Sequence, residues 1–155
     1  MMRISGMILA VSLLLIPVDL FSQDTTVRVL SLEDAKRIAD AAEARAMEDN
    51  WTVVITIVDS GGHPLLLRRI DGTQIGSVDI AIQKATTAVF YKRPTKAFQD
   101  GVAAGNTGIL NLPHLLPFEG GLPIMYNGAV IGGIGVSGVT AAQDGIIAQA
   151  GIDAL

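Results

Sequence analysis

The sequence predicts a single α+β domain in which helices pack against an antiparallel sheet. Two observations carry this prediction: two segments have the pattern of a β-hairpin, and helical patterns precede and follow each of them. Hairpin strands are antiparallel, whereas a doubly wound parallel sheet would need strands that alternate with helices. No linker or change of composition divides residues 27–155, so we expect one domain.

The first predicted elements are a helix and a hairpin. Residues 31–34 supply a serine hydroxyl that can cap free amides and two acids that suit the positive end of a helix dipole. Residues 52–58 are β-branched throughout and predict a strand, residues 59–62 have turn chemistry, and residues 63–70 predict the returning strand. The apolar positions at helical spacing are Leu32, Ala35, Ile38, Ala39, Ala42 and Ala46.

The second half is predicted to contain a helix, a long loop, a second hairpin and a final helix. We expect Ser77 to cap a second helix, which Pro94 prevents from continuing much past Tyr91. Residues 101–123 are rich in Gly, Asn and Pro and predict a long ordered loop. Asn-Gly at 127–128, between apolar segments, predicts a hairpin with a type I′ turn. Residues 140–143 (Thr-Ala-Ala-Gln) form a capping box that predicts the start of the final helix.

Residues 1–22 have the pattern of a secretory signal peptide. Arg3 precedes an apolar run over residues 7–16, and Pro17, Asp19 and Ser22 restore polarity. The run is shorter than the roughly 20 residues that a membrane-spanning helix needs. We therefore expect a mature domain of residues 23–155 in the periplasm or outside the cell, with no membrane contact after cleavage. The alternative is a retained N-terminal anchor.

Composition excludes several kinds of site. The chain has no cysteine, so disulfides, thiolate metal sites and iron–sulfur clusters are excluded. Its 11 basic and 15 acidic residues give a net charge of −4, and a nucleic-acid surface is therefore not expected.

Residues 133–138 match the G-x-G-x-x-G pattern of dinucleotide-binding turns. That kind of site also needs a further strand with an acid about 20 residues on, which the sequence does not offer. We expect these glycines to let the final helix, or a neighbouring subunit, pack closely on the sheet. Ser137 lies in this segment, and a serine triad would require the fold to bring His63 or His114 to it.

The two histidines are the candidate binding residues. A metal site made by protein alone needs three or four ligands, which His63 and His114 cannot supply. A porphyrin supplies four nitrogens and asks the protein for only one or two axial donors. We predict a haem site with His114 as the iron ligand, because apolar residues surround it in the sequence. They are Leu112, Leu115, Leu116 and Phe118.

Other residues could contribute to the same site. His63 is the second candidate ligand, and Met125, Tyr126 and Met47 are further possible donors. Arg93 lies in a basic cluster with Lys92 and Lys96 that could pair with haem propionates. The alternative is that both histidines are ordinary turn and loop residues and that the cluster is a solvated helix end.

Several short motifs occur in a fixed order along residues 30–155. They are VDSGG (58–62), DG (71–72), KA (84–85), RPT (93–95), GGLPI (120–124), IGGIGVSG (131–138) and QD (143–144). Together they resemble the GlcG/HbpS haem-binding family, which also occurs as the C-terminal domain of PduO-type corrinoid adenosyltransferases. The resemblance implies a profilin-like fold, a homo-oligomer and, in some members, binding of haem or a related tetrapyrrole. It implies no settled catalytic activity and no fixed iron ligand.

The sequence thus supports three hypotheses. The first is an exported haem-binding protein that captures or senses haem rather than performing catalysis. The second is a non-catalytic oligomeric module that binds a structural partner, with the glycine-rich strand as a subunit interface. The third is a small enzyme acting on an organic acid, with Ser137 or Asp144 near a pocket.

Overall fold

The computed structural model describes residues 28–155, and the predicted signal peptide therefore lies outside the described residues. These residues form an antiparallel sheet of four strands with helices on both faces; the first and fourth strands of the chain lie in the middle, and the second and third lie at the edges. The predicted α+β architecture of two hairpins is confirmed. In chain order the elements are α1 (Leu32–Glu48), β1 (Val54–Asp59), β2 (Pro64–Arg69), α2 (Ser77–Tyr91), α3 (Lys96–Ala103), a 3-10 helix (Thr107–Asn111), β3 (Gly121–Tyr126), β4 (Ala129–Ser137) and α4 (Ala141–Ile152). None of the described helices has the length and apolar character needed to cross a membrane.

Helix α1 begins with the predicted cap. The Ser31 hydroxyl accepts a hydrogen bond from the Asp34 amide at 3.0 Å, and the Asp34 carboxylate accepts from the Ser31 amide and hydroxyl. Arg28 and Arg37 also donate to this carboxylate. The Ser31 hydroxyl, followed by Arg37, holds the pKa of Asp34 well below its usual range. The ionised carboxylate of Asp34 is favoured because each of these donors binds the carboxylate more strongly than the protonated carboxyl.

The Asp34→Asn variant is expected to lower the free energy of unfolding by about 1 kcal/mol at neutral pH. Because the pKa of Asp34 is depressed in the folded state, its stabilising effect is complete above the unfolded pKa of about 3.9 and is lost as the pH falls below that value. The stability difference from wild type should therefore shrink in acid, as measured by urea unfolding across pH. Glu33→Gln, an exposed change in the same turn, is the control. A difference that stays constant with pH would contradict the assignment.

The core lies on both faces of the sheet. On one face, side chains of α1 and α4 such as Ile38 and Ile147 pack with Ile55 and Ile134 of the strands, all fully buried. On the other face α2 covers the sheet, where Val58, Ala85 and Val89 form a smaller cluster. The central strand β4 is therefore enclosed, and residues 131–137 are all buried.

The glycines of β4 allow α2 to lie directly on the sheet. A Cβ atom added at Gly135 would lie 2.0 Å from the carbonyl oxygen of Ala81, and one at Gly133 would lie 2.8 Å from that of Ala85. The prediction that the final helix uses these glycines is wrong, because α2 occupies the surface. Helices of the same chain cover both faces of β4 over residues 131–137, so these glycines pack within the chain, and the homo-oligomer stays a prediction.

Two turn and cap predictions are confirmed and one is wrong. Asn127 and Gly128 both have positive φ (47° and 79°), as a type I′ turn requires. Thr140 and Gln143 form the predicted capping box of α4. Ser77 does not cap α2, since Gly76 holds the cap position and makes no side-chain bond. The Ser77 hydroxyl is buried and instead accepts hydrogen bonds from Gln74 and Ser137.

The prediction of one long loop over residues 101–123 is wrong in part. Helix α3 extends into this segment, a 3-10 helix follows it, and β3 begins at Gly121. Tertiary packing accounts for α3, because the ring of Phe98 is buried and lies 5.2 Å from the ring of Tyr91 at the end of α2. β3 tolerates Pro123 because it is an edge strand of the sheet.

Candidate functional site

His114 lies in a loop that α2 holds in place. The Thr87 hydroxyl donates to the carbonyl oxygen of His114 at 2.9 Å and accepts from the amide of Leu116 at 3.0 Å. The Tyr91 hydroxyl donates to the carbonyl oxygen of Pro113 at 2.6 Å. His114 itself has a positive φ of 57°, a conformation that these bonds fix. Its imidazole is therefore presented on a constrained backbone rather than on a free loop.

The surroundings of His114 are open and combine polar with apolar side chains. The edge of its ring meets Phe90, with the ring centroids 5.6 Å apart and the planes at 89°. An open pocket of about 490 Å³ lies beside it, lined by Gln83, Thr86, Leu112, His114 and Leu115. Phe90 and Leu112 remain 45% and 40% exposed. This face thus joins an imidazole to unpartnered apolar surface, which can hold a flat apolar ligand with a metal centre.

His63 lies in the β1–β2 turn, which contacts the same part of α2. A Cβ atom added at Gly62 would lie 2.8 Å from the Phe90 ring, and the Thr86 hydroxyl lies 3.4 Å from the Gly62 carbonyl oxygen. The imidazole of His63 is exposed, with its Nδ1 atom 3.5 Å from Asp59 Oδ1. The amide of His63, together with that of Gly61, lowers the pKa of the Asp59 carboxyl. The structure therefore brings the loops of both histidines to the last turns of α2, where His114 meets Phe90 and Gly62 accepts a hydrogen bond from Thr86.

The three remaining candidate donors lie apart: Met47 is exposed near the end of α1, and Met125 and Tyr126 lie on β3. Met125 pairs with Val130, which packs on the α2 side of the sheet, and Met125 is 47% exposed there. Tyr126 is the next residue in the strand and so points to the opposite face. There the guanidinium carbon of Arg28 lies 4.4 Å from the centre of its ring. Of the two residues on β3, only Met125 faces the same side as α2.

The predicted basic cluster lies just beyond α2. The Nε atom of Arg93 donates to the Tyr91 carbonyl oxygen at 3.2 Å, and its guanidinium carbon lies 5.5 Å from the centre of the Phe98 ring. Lys96 forms an ion pair with Asp100 at 2.8 Å. Lys92 and Arg93 are both exposed, and they directly follow Tyr91, which contacts the His114 loop.

A second candidate site surrounds a buried ion pair that was not predicted from the sequence. Lys84 Nζ donates to Asp144 Oδ2 at 2.7 Å and to the Val136 carbonyl oxygen at 2.9 Å, and both charged residues are only 2% exposed. Burial raises the pKa of the Asp144 carboxyl, and Lys84 opposes this effect. A signal was present: Lys84 directly precedes Ala85 of the apolar stripe, on a helix flank where a charge must find a partner.

This ion pair borders a cavity of about 230 Å³, which Ser137 also lines. The Ser137 hydroxyl donates to Ser77 at 3.2 Å and bonds to no histidine of the described residues, so the geometry gives no serine triad. Residues 28–155 also hold no group of three or more His, Asp or Glu side chains that could bind a metal ion. The remaining lining residues are Gln74, Ile80, Leu116, Phe118, Val139 and Ala141.

Comparisons with known proteins give a consistent result. The family described as "Haem degrading protein HbpS-like" matches residues 30–153. Protein GlcG of Escherichia coli (strain K12) is 39% identical over 109 residues, which are 70% of this chain and 81% of GlcG. The corrinoid adenosyltransferase PduO of Salmonella typhimurium is 35% identical over 138 residues, which cover 86% of this chain but 41% of PduO.

Two solved structures are similar over most of their length. The PduOC:heme complex superposes with a TM-score of 0.77 at 33% identity, covering 83% of this chain and 96% of that chain. A crystal structure of HbpS superposes with a TM-score of 0.77 at 34% identity, covering 86% and 94%. The motif order, the two-hairpin sheet and these matches agree, and the chain belongs to the HbpS-like family, as the resemblance in its sequence indicates.

Proposed function

We propose that this chain is an exported haem-binding protein that captures or senses haem, with His114 as the axial ligand. One observation carries the proposal: a backbone-constrained imidazole beside exposed apolar side chains and an open pocket. One solved relative is a complex with haem, and the matching family is described by haem chemistry. We extend that property to this chain.

The donor set of the His114 face fits a porphyrin. A porphyrin fills four iron positions itself, so one histidine is sufficient and a second donor can complete the coordination. His114 supplies the first imidazole, and the turn of His63 is bonded to the same helix through Thr86. Phe90, Leu112 and Leu115 would contact the apolar faces of the ring, while Arg93 would pair with a propionate. Bound haem would supply redox and ligand-binding chemistry at iron.

Export is a separate part of the proposal. The signal-peptide pattern of residues 1–22 supports it, and the absence of cysteine is compatible with an oxidising compartment. Mass spectrometry of protein from the periplasm and the medium would test export, because cleavage near Ser22 removes a mass that is easily resolved. Full-length protein recovered with the membrane fraction would contradict cleavage and favour the retained anchor.

Hemin titration tests the haem site. The wild-type protein is expected to give a sharp Soret band that saturates near one hemin per chain. His114→Ala should weaken binding by more than about tenfold, since loss of a direct ligand should cost at least as much as loss of an outer-shell partner. His63→Ala is the comparison variant, because its imidazole is also exposed; as the second candidate ligand, it should lose less affinity than His114→Ala.

The outcomes separate the hypotheses. An unchanged spectrum in His114→Ala would contradict the ligand assignment, and absence of saturable uptake by wild type would contradict haem binding. Adding a reductant to the complex in air, which supplies the dioxygen that oxidative haem cleavage consumes, distinguishes capture or sensing from degradation. A Soret band that keeps its intensity supports the proposal, whereas progressive bleaching with release of iron would contradict a non-catalytic role.

A homo-oligomeric module is the second candidate function. Large apolar side chains are exposed on α2 and on the segment that follows α3, and exposed apolar surface can mark an interaction site. They are Phe90, Leu110, Leu112 and Phe118. Light scattering would detect the oligomer. Oligomers that bind no tetrapyrrole would favour this function over the first.

A further inference from the structure

We propose that the cavity beside Lys84 and Asp144 binds a small uncharged molecule that carries an alcohol or amide group. We call it the Lys84 cavity, defined by the lining residues given above. It is distinct from the His114 face, because the two share no lining residue, and ligand binding here does not depend on haem binding. Three properties of the cavity support this assignment: its charge balance, its unused hydrogen-bonding capacity and its size.

The charge balance favours a neutral ligand. Lys84 and Asp144 are the charged residues that line the cavity, and their ion pair leaves no net charge. An ionic ligand would have to leave water without an opposite charge to compensate it, and such a transfer is costly. A neutral polar molecule avoids this cost. The apolar side of the cavity, which includes Ile80, Leu116 and Phe118, can cover its carbon atoms.

The hydrogen-bonding capacity of the ion pair is not exhausted within the described chain. An ammonium group has three N–H donors, and Lys84 uses two of them, on Val136 and Asp144. The Asp144 carboxylate accepts from Lys84 and from the amides of Val139 and Gly138, which leaves one of its roughly four lone-pair sites. The Ser137 hydroxyl uses its proton on Ser77 and keeps its lone pairs. A ligand with one hydrogen-bond acceptor and one donor would bind the unused N–H of Lys84 and an unused lone pair of Asp144 or Ser137.

The size of the cavity limits the ligand. A volume of about 230 Å³ corresponds to about eight water molecules at roughly 30 Å³ each. The cavity is open to solvent, so a compound of a few carbon atoms fits within it and a nucleotide or a porphyrin would extend beyond it. Stability alone does not explain the ion pair, because well-packed apolar residues can often replace a buried ion pair without loss of folding stability. Recognition of a polar ligand supplies a reason for it.

Three probes of one carbon skeleton test the proposal without hemin. Lactamide is neutral, lactate is an anion and 1-amino-2-propanol is a cation. Lactamide is expected to shift the backbone amide NMR signals of Val139 and Asp144 saturably, and to bind at least about tenfold more tightly than either ion. Ser137→Ala should weaken lactamide binding by about two- to tenfold through loss of one hydrogen bond.

Two phenylalanine variants on adjacent positions of α4 locate the binding. Ala141 lines the cavity, whereas Ala142 is exposed and does not. Ala141→Phe should abolish the lactamide shifts, and Ala142→Phe should retain them. No saturable shift in wild type, tighter binding of an ion, or equal loss in both variants would overturn the proposal. Should Ala141→Phe not fold, unchanged affinity in Ser137→Ala would overturn it instead.

Discussion

Replacing Lys84 with methionine is expected to lower the free energy of unfolding by about 3–5 kcal/mol at neutral pH, because it leaves the buried Asp144 carboxylate without its partner. The methionine fills nearly the same volume, so the loss reports charge rather than packing. Domains of this size are stable by only about 5–15 kcal/mol, and the variant should unfold at much lower urea concentration.

The pH dependence of Lys84→Met identifies the cause. Burial already raises the pKa of Asp144, and removal of Lys84 removes an interaction that opposes this rise. A carboxyl whose pKa is raised in the folded state lowers the free energy of unfolding at any pH above that pKa. This loss of stability disappears as the pH falls to about 3.9, the pKa of an aspartate in the unfolded chain. The difference from wild type should therefore narrow in acid.

Two control variants accompany this measurement. Lys84→Met/Asp144→Asn should recover most of the lost stability, because the amide is neutral and keeps an oxygen for the Val139 amide. Lys36→Met, an exposed change on α1, should alter stability by less than about 0.5 kcal/mol. If Lys84→Met and Lys36→Met behaved alike, the ion pair would be energetically unimportant.

Gly135→Ala should be similarly damaging, with an expected loss of about 3 kcal/mol or more. The added methyl group would lie 2.0 Å from the Ala81 carbonyl oxygen and 2.6 Å from the Ala85 nitrogen. Both are backbone atoms of α2, so no side chain can rotate away. The helix itself has to move off the sheet, and the contacts of Ala81 and Ala85 would loosen together.

Gly76→Ala is the matched control for this change. No atom lies within 4 Å of a Cβ added at Gly76, whose φ of −59° suits any residue. Its effect on urea unfolding should stay within about 0.5 kcal/mol. Equal stability of Gly135→Ala and Gly76→Ala would contradict the close approach of α2 to β4.

The parts of the fold that depend on local chemistry were predictable from sequence. The capping residues Ser31 and Thr140 and the turn at Asn127 act on their own neighbours, and the structure contains all three. Helix α3 was not predicted, because its main anchor is the contact of Phe98 with Tyr91 rather than a helical pattern. The cap at Ser77 failed for the same kind of reason, since Ser137 competes for its hydroxyl.

The sites depend more on tertiary structure. The apolar neighbours of His114 in sequence indicated a candidate ligand, but not that Thr87 and Phe90 would hold its loop. The Lys84–Asp144 pair joins residues 60 positions apart, and neither side chain indicates the other. The two residues pair because α2 and α4 both pack against β4. Local sequence patterns do not contain that arrangement of the helices.

Helix α2 has a consequence for how this protein can diversify. Its alanine side is seated on the glycines of β4, and its other side contacts both histidine loops through Thr86, Thr87 and Phe90. Evolution therefore cannot tune ligand preference by sliding or tilting this helix without damaging the interior. New specificities have to arise by exchanging side chains on its outward side or by remodelling the segment between α3 and β3.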